Sequence, residues 1–264
     1  MKFKYVLLRE RLWPKKINGR HIYGSGSGTL VADRLVLTAA HVITNYAEFP
    51  EQIAKSDLHF QSADKKKPPV KVKRIVAIGN YLKQIAAGET AASLFEDWAL
   101  LELTESLNGV EPIKLASRST KYLNTNHSSG LLSIGFPGSA VNILFFDNLA
   151  LMTSLRFLTI ANCGLDSDIA NELIAGGWYF SKHLYITNCQ VSGGNSGGPL
   201  LAKSTTGDWV VLGLTTNLGR TPLREMTFGL LGSQFSVAIP TTVIEHSISN
   251  NLRYVKFKDL IFAR

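Results

Sequence analysis

The chain has 264 residues, of which 45% are hydrophobic and 18% charged, with a net charge of +8 and a pI near 9.5. That balance excludes a disordered chain, and no stretch approaches the roughly 18 apolar residues of a membrane-spanning helix. The length admits one large or two small domains, and the 22 glycines among short runs of Val, Ile, Thr and aromatic residues favour β structure with many turns.

At the N terminus, "MKFKYVLLRERLWPKK" starts basic, but its apolar core is only about four residues before Arg9, too short for a secretory leader. The two cysteines, Cys163 and Cys189, are fewer than a secreted β protein of this size often has. The expectation is a cytoplasmic protein with free thiols, a single disulfide between Cys163 and Cys189 being the alternative left open.

A first group of candidate strands follows: KYVLLRE (4–10), SGTLVA (27–32), LVLTA (35–39), VKVKRIVAI (70–78) and WALLEL (98–103). The densest positive charge lies in residues 64–74, where Lys71 and Lys73 alternate with Val70 and Val72, as on a strand with one solvated face. No aromatic side chains interleave with these lysines, so a nucleic-acid groove is poorly supported. Residues 104–120 carry no strong period. They precede a second group: GLLSIGF (130–136), LALMTSLRFLTI (149–160), HLYIT (183–187), WVVLGLTT (209–216) and QFSVAI (234–239). Two stretches read as helices. Residues 166–177 open on Asp and close on Gly, and residues 240–251 begin with Pro240 and place Val243, Ile244 and Ile248 at helical spacing. Two sets of short strands predict paired antiparallel barrels, one over residues 1–108 and one over 109–264.

Three places could carry chemistry. In "VLTAAHVI" (36–43) an apolar strand runs through small residues into His41, which alone reads more readily as a packing histidine. In "EDWALLEL" (96–103) Asp97 precedes an apolar strand and alone would simply end it at the surface. In "GGNSGGPL" (193–200) glycines allow positive φ and close backbone approach, so Ser196 can lie within a ring of amide donors. A tight polar turn is the bland alternative there. A phosphate loop fits poorly, because the Lys and helix-opening pattern are absent. The order His41, Asp97, Ser196, with the first two in one strand group and the third in the other, suggests a site shared between two barrels.

Together "TAAH", "DWALLEL" and "GNSGGPL" resemble the three signature segments of the chymotrypsin-like, trypsin-fold serine peptidases. The resemblance spans about residues 24–250. "SIGFPG" (133–138) and "FSVAIPTTVI" (235–244) look closer to bacterial glutamyl endopeptidases and high-temperature-requirement proteases than to digestive trypsins. The resemblance implies an all-β, chymotrypsin-like chain of two six-stranded antiparallel barrels packed together, with a C-terminal helix. The least family-like part, about residues 161–182, is expected to be a helical insertion near the substrate cleft or a partner contact.

By the same resemblance Ser196 is the nucleophile, His41 the general base and Asp97 the group that orients the imidazole. The N–H groups of Gly194 and Ser196 form the oxyanion hole. Asn195 stands where digestive enzymes have the Asp that pairs with a newly cut N-terminal amine, so that activation switch is expected to be missing. Gln190, where a trypsin-type enzyme has Asp, argues against a preference for Arg or Lys. Thr215, Thr216 and Ser236 are expected around a polar, uncharged specificity pocket. The implied activity is serine endopeptidase hydrolysis through an acyl-enzyme, in regulated limited proteolysis of a protein or peptide substrate. The alternative is a catalytically inactive peptidase-like binding module. No cofactor, metal or membrane partner is called for. Because family members serve in quality control and in bacterial defence operons, a regulatory or operon partner protein is a further expectation.

Overall fold

The computed structural model of the chain describes residues 6–10, 15–17, 20–22, 25–43, 58–62, 68–88, 94–118, 130–136, 159–175, 183–189, 191, 194–219 and 235–263. The first strand group is realised as β1 (Val6–Glu10), a short hairpin of β2 (Lys15–Ile17) and β3 (Arg20–Ile22), β4 (Ser25–Ala32), β5 (Leu35–Thr38), β6 (Leu58–Ser62), β7 (Val70–Ile78) and β8 (Ala99–Leu103). All but the hairpin close into a six-stranded antiparallel barrel in the order β1-β4-β5-β8-β7-β6. The second group forms β9 (Leu131–Gly135), β10 (Thr159–Cys163), β11 (Tyr185–Thr187), β12 (Pro199–Lys203), β13 (Trp209–Gly219) and β14 (Phe235–Pro240). These run β10-β9-β12-β13-β14-β11 in a single antiparallel sheet. Of the predicted strand 149–160, residues 149–158 lie outside the described residues.

The second sheet curls until its two edges meet. Leu165, just past β10, bridges to Thr187 of β11, the Asp166 N–H donates to the Ile186 carbonyl at 2.8 Å, and the Asn188 N–H donates to the Gly164 carbonyl at 3.2 Å. Cys163 and Cys189 lie at this seam and are joined by a disulfide, with Cα atoms 4.9 Å apart. Of the two readings the sequence left open, the disulfide is the one found, and the expectation of free thiols is corrected. Residues 26 apart in sequence are brought side by side by closure of a sheet, which no local pattern reveals.

The side chains divide into three apolar clusters by the two-residue alternation of a strand. Ala99, Leu101 and Leu103 of β8 join Val36, Phe60 and Val72 inside the first barrel. Leu100 of the same strand and Trp98 before it face the other way, into a core shared with the second sheet and its C-terminal helix. In the second sheet Leu200 and Ala202 turn inward, while Leu201 joins the shared core. Strands buried on both faces read as nearly continuous apolar runs, as β5 (LVLT) and β8 (ALLEL) do. The linking residues are strapped to both halves: the Ile113 N–H donates to the Leu30 carbonyl, and Leu115 bridges to Val211 and Phe262.

The helix Ser167–Ala175 falls inside the predicted 166–177, and the Asp166 carboxylate accepts the Ile169 N–H at 2.9 Å, capping its first turn. Residues 161–163 belong to β10 and so to the sheet itself. The C-terminal helix, Thr241–Ser249, follows Pro240 and buries Ile244 and Ile248 in the shared core.

Glu102 is the charged exception on β8, with its side chain 10% exposed. Burial alone would raise its pKa, but hydrogen bonds from Arg74 at 2.6 Å and Lys73 at 3.2 Å, with their charges, hold it below the usual carboxylate range. A depressed folded-state pKa contributes stability above the unfolded value, and that contribution is lost as pH falls through the folded one. The Tm advantage of the native chain over Glu102→Gln is accordingly expected to be greatest near neutrality. It should shrink below about pH 4.3, the ordinary Glu value. Thermal unfolding from pH 7 to pH 3 measures it, and a pH-independent difference would count against the assignment.

Candidate active site

β5 and β8 are hydrogen-bonded neighbours running in opposite directions, with Thr38 opposite Ala99. The chain leaving β5 and the chain entering β8 therefore meet at one end of the barrel. Ala39 and Ala40 are buried, and their small side chains let the backbone turn at once into a 3-10 turn, Ala40–Ile43, that carries His41. Asp97 sits between the 3-10 turn Leu94–Glu96 and β8. This geometry joins residues 56 apart in sequence. His41 Nδ1 lies 2.7 Å from Asp97 Oδ2, and the His41 main-chain N–H donates to Oδ1 at 2.8 Å.

Asp97 is 2% exposed, and the His41 side chain 32%. Both carboxylate oxygens are placed to accept, an arrangement that favours the imidazole tautomer with its proton on Nδ1. Tyr81, on the helix Tyr81–Ala86, sets its ring centroid 6.4 Å from that of His41. Burial, and then the charge of Asp97, raise the Tyr81 pKa, so this phenol stays protonated around the pair at neutral pH. No feature of the sequence singled out Tyr81.

Ser196 lies in the loop that leads from the seam of the second sheet into β12. Gly194 has φ +100° and Gly197 φ +84°, conformations that a side chain strongly disfavours. At Gly197 a Cβ would also collide with the Ser27 carbonyl and the Thr38 hydroxyl. That close approach seats the loop against the end of β5, three residues before His41. The Gly197 N–H donates to the Thr215 carbonyl at 2.7 Å, the Thr215 N–H to the Gly198 carbonyl at 2.9 Å, and the Ser27 N–H to the Ser196 carbonyl at 2.7 Å. The Ser196 hydroxyl donates to the Thr216 carbonyl at 3.4 Å, a long contact that leaves it readily turned. Among the described residues the N–H groups of Gly194 and Ser196 have no hydrogen-bond partner. Asn195 is 2% exposed and packs against the position of Gly135.

The residues expected around a specificity pocket divide. Gln190 lies outside the described residues. Thr215 and Thr216 are both buried and act on the Ser196 loop through their main chain. Ser236, on β14, pairs its hydroxyl with that of Thr187 at 2.6 Å. Thr187 was not anticipated. A lone Thr in a short apolar strand gives no sign that it will meet Ser236 across the β11–β14 ladder, where the two stand opposite.

Comparison with known proteins adds three findings. The family described as "Trypsin-like peptidase domain" matches residues 26–214, a span that contains His41, Asp97 and Ser196. Among solved structures, one titled "Crystal structure of Rv3671c protease, inactive form" is similar at 15% identity, covering 92% of this chain and 86% of that chain with a TM-score of 0.48. No curated protein sequence matches.

Proposed function

This chain belongs to the trypsin-like peptidase domain family, and from that premise we propose that it is a serine endopeptidase acting on a protein or peptide substrate. The observation that carries the reading is the His41–Asp97 pair, 2.7 Å apart, at the barrel end against which the Ser196 loop is seated.

The proposed reaction runs as follows. His41 Nε2 takes the Ser196 hydroxyl proton as Oγ attacks the scissile carbonyl. The carbonyl oxygen, now negative, turns to the N–H groups of Gly194 and Ser196. The imidazolium, stabilised by Asp97, returns the proton to the leaving amine, and the C–N bond breaks to give an acyl-enzyme. Water then attacks the ester with His41 again as base, releasing the acid and restoring Ser196.

Within the family we place the chain nearer the glutamyl endopeptidases and high-temperature-requirement proteases, on residues 133–138 and 235–244. A polar, uncharged specificity pocket is consistent with the paired hydroxyls of Ser236 and Thr187. Limited cleavage of one or a few partner proteins is the role proposed.

A fluorophosphonate probe should attach to Ser196, located by mass spectrometry of the labelled peptide. New N-termini in a proteome digest should arise with the native chain and be missing with Ser196→Ala. Neither labelling nor new N-termini would leave the peptidase-like binding module as the better reading.

A further inference from the structure

We propose that Ser27 is a positioning residue for the oxyanion-stabilising amides. Its single hydroxyl, borne by the first barrel, sets the conformation of Gly194 in the second. The inference rests on the reading that the Gly194 and Ser196 N–H groups receive the substrate's developing negative charge.

Ser27 lies within β4 and is 2% exposed. Four hydrogen bonds converge on it from three directions. Its hydroxyl accepts the Phe136 N–H, at the end of β9, at 2.9 Å and donates to the Gly194 carbonyl at 2.8 Å. Its main-chain N–H holds the Ser196 carbonyl, and its own carbonyl accepts the Thr38 hydroxyl at 2.8 Å. A hydroxyl has one proton. With Phe136 occupying a lone pair, that proton is directed at Gly194, so the bond has a fixed sense.

The consequence concerns the peptide planes of the loop. The Asn195 carbonyl is held from within, by the Gly198 N–H at 2.8 Å, and this orients the Ser196 N–H on the same plane. The Gly194 carbonyl is held from outside the loop, by Ser27. Gly194 has no Cβ to restrict its rotation, and its φ of +100° is one of several that glycine can adopt. The Gly194 carbonyl lies on the peptide plane that follows Gly194, so the bond from Ser27 anchors that plane and with it the Gly194 Cα, the pivot from which the Gly194 N–H projects. Oxyanion stabilisation depends on donors already in place before charge develops. Ser27 touches neither substrate nor reacting atoms and acts through Gly194.

The test compares Ser27→Ala, Ser27→Cys and Ser27→Thr on a fluorogenic peptide drawn from the native cleavage profile. Active sites are counted by fluorophosphonate titration. Cys keeps nearly the size of Ser but is a poor donor, and Thr keeps the hydroxyl. Removing one oxyanion donor outright costs about 10²- to 10³-fold in rate, so misorienting one is expected to lower kcat per titrated site by about 10- to 100-fold in Ala and Cys, with KM within about twofold. Thr should recover most of that loss. A peptide aldehyde of the same sequence, whose hemiacetal oxygen takes the oxyanion's place, should bind more weakly by a similar factor.

A purely structural role would lower Tm and the number of titratable sites but leave kcat per site unchanged. That result in Ala and Cys overturns the proposal, as does a loss expressed in KM alone. If Ser27→Ala does not fold, Ser27→Cys carries the same comparison. A native chain with neither titratable sites nor turnover would instead remove the peptidase reading itself.

Discussion

Replacing Ser196 with Ala is expected to lower kcat by about 10⁶-fold, the scale on which a nucleophile's loss disables enzymes of this chemistry. The expectation follows from how little else at the site could take its place. Among the described residues at the crevice, the Thr216 hydroxyl is buried, the Thr38 hydroxyl donates to the Ser27 carbonyl and the Ser27 hydroxyl to the Gly194 carbonyl. The substitution removes one oxygen from a half-buried loop position and leaves the bonds Gly197 N–H to Thr215 and Ser27 N–H to Ser196 in place, so Tm should hardly move. Substrate should still bind, since its contacts with the main chain survive. Steady-state hydrolysis of a fluorogenic peptide, with peptide binding followed separately by fluorescence anisotropy, measures both. Cleavage by Ser196→Ala within tenfold of the native rate would end the serine-peptidase reading.

For Asp97→Asn the expected loss is about 10⁴-fold in kcat, the size known for the corresponding exchange in this family. Here the geometry says why so small a change should cost so much. Both oxygens of Asp97 accept: Oδ1 from the His41 main-chain N–H, and Oδ2 from Nδ1–H. An amide has one oxygen. If that oxygen keeps the main-chain N–H, the NH₂ group faces Nδ1, which must then accept, and the ring proton moves to Nε2. His41 is left in the tautomer that cannot take the Ser196 proton. If the amide flips, its NH₂ meets the His41 main-chain N–H, two donors face each other in a buried site, and the turn bearing His41 is disturbed. Substrate contacts are untouched in the first case, so KM should hold while kcat falls. A kcat within tenfold of the native value, on protein with unchanged Tm, would refute the orienting role given to Asp97.

Much of the architecture was readable because strand burial leaves a direct trace in sequence. β5 and β8 are buried on both faces and appear as the apolar runs LVLT and ALLEL. The C-terminal helix buries Ile244 and Ile248 at the helical spacing noted beforehand. His41 and Asp97 could be singled out because each stands where such a run begins or ends, and the pairing of β5 with β8 turns those two ends into neighbours. The Gly-rich run around Ser196 was legible for another reason. Positive φ at Gly194 and Gly197, and the collision a Cβ would cause at Gly197, can be met by few residues other than glycine.

What stayed hidden shares one physical property: it depends on which distant segments a closed sheet brings together. Thr187 and Ser236 are ordinary strand residues until β11 lies beside β14. Ser27 is one small residue in a Ser- and Gly-rich strand until the second sheet presents the Phe136 N–H and the Gly194 carbonyl to it. Whether Cys163 and Cys189 were two thiols or one disulfide stayed open until the sheet's edges met.

The sequence by itself determined that this is an all-β chain of two strand groups, with a hydroxyl locked in glycine and an imidazole and a carboxylate at strand ends. Local burial and backbone freedom are written in residue type, and they decide those features. Tertiary structure alone decided the strand order of the first barrel, the disulfide seam of the second sheet and the bond from Ser27 to the loop of Ser196. These contacts join residues with no periodic relation along the chain, and their partners are selected by the register and curvature of whole sheets.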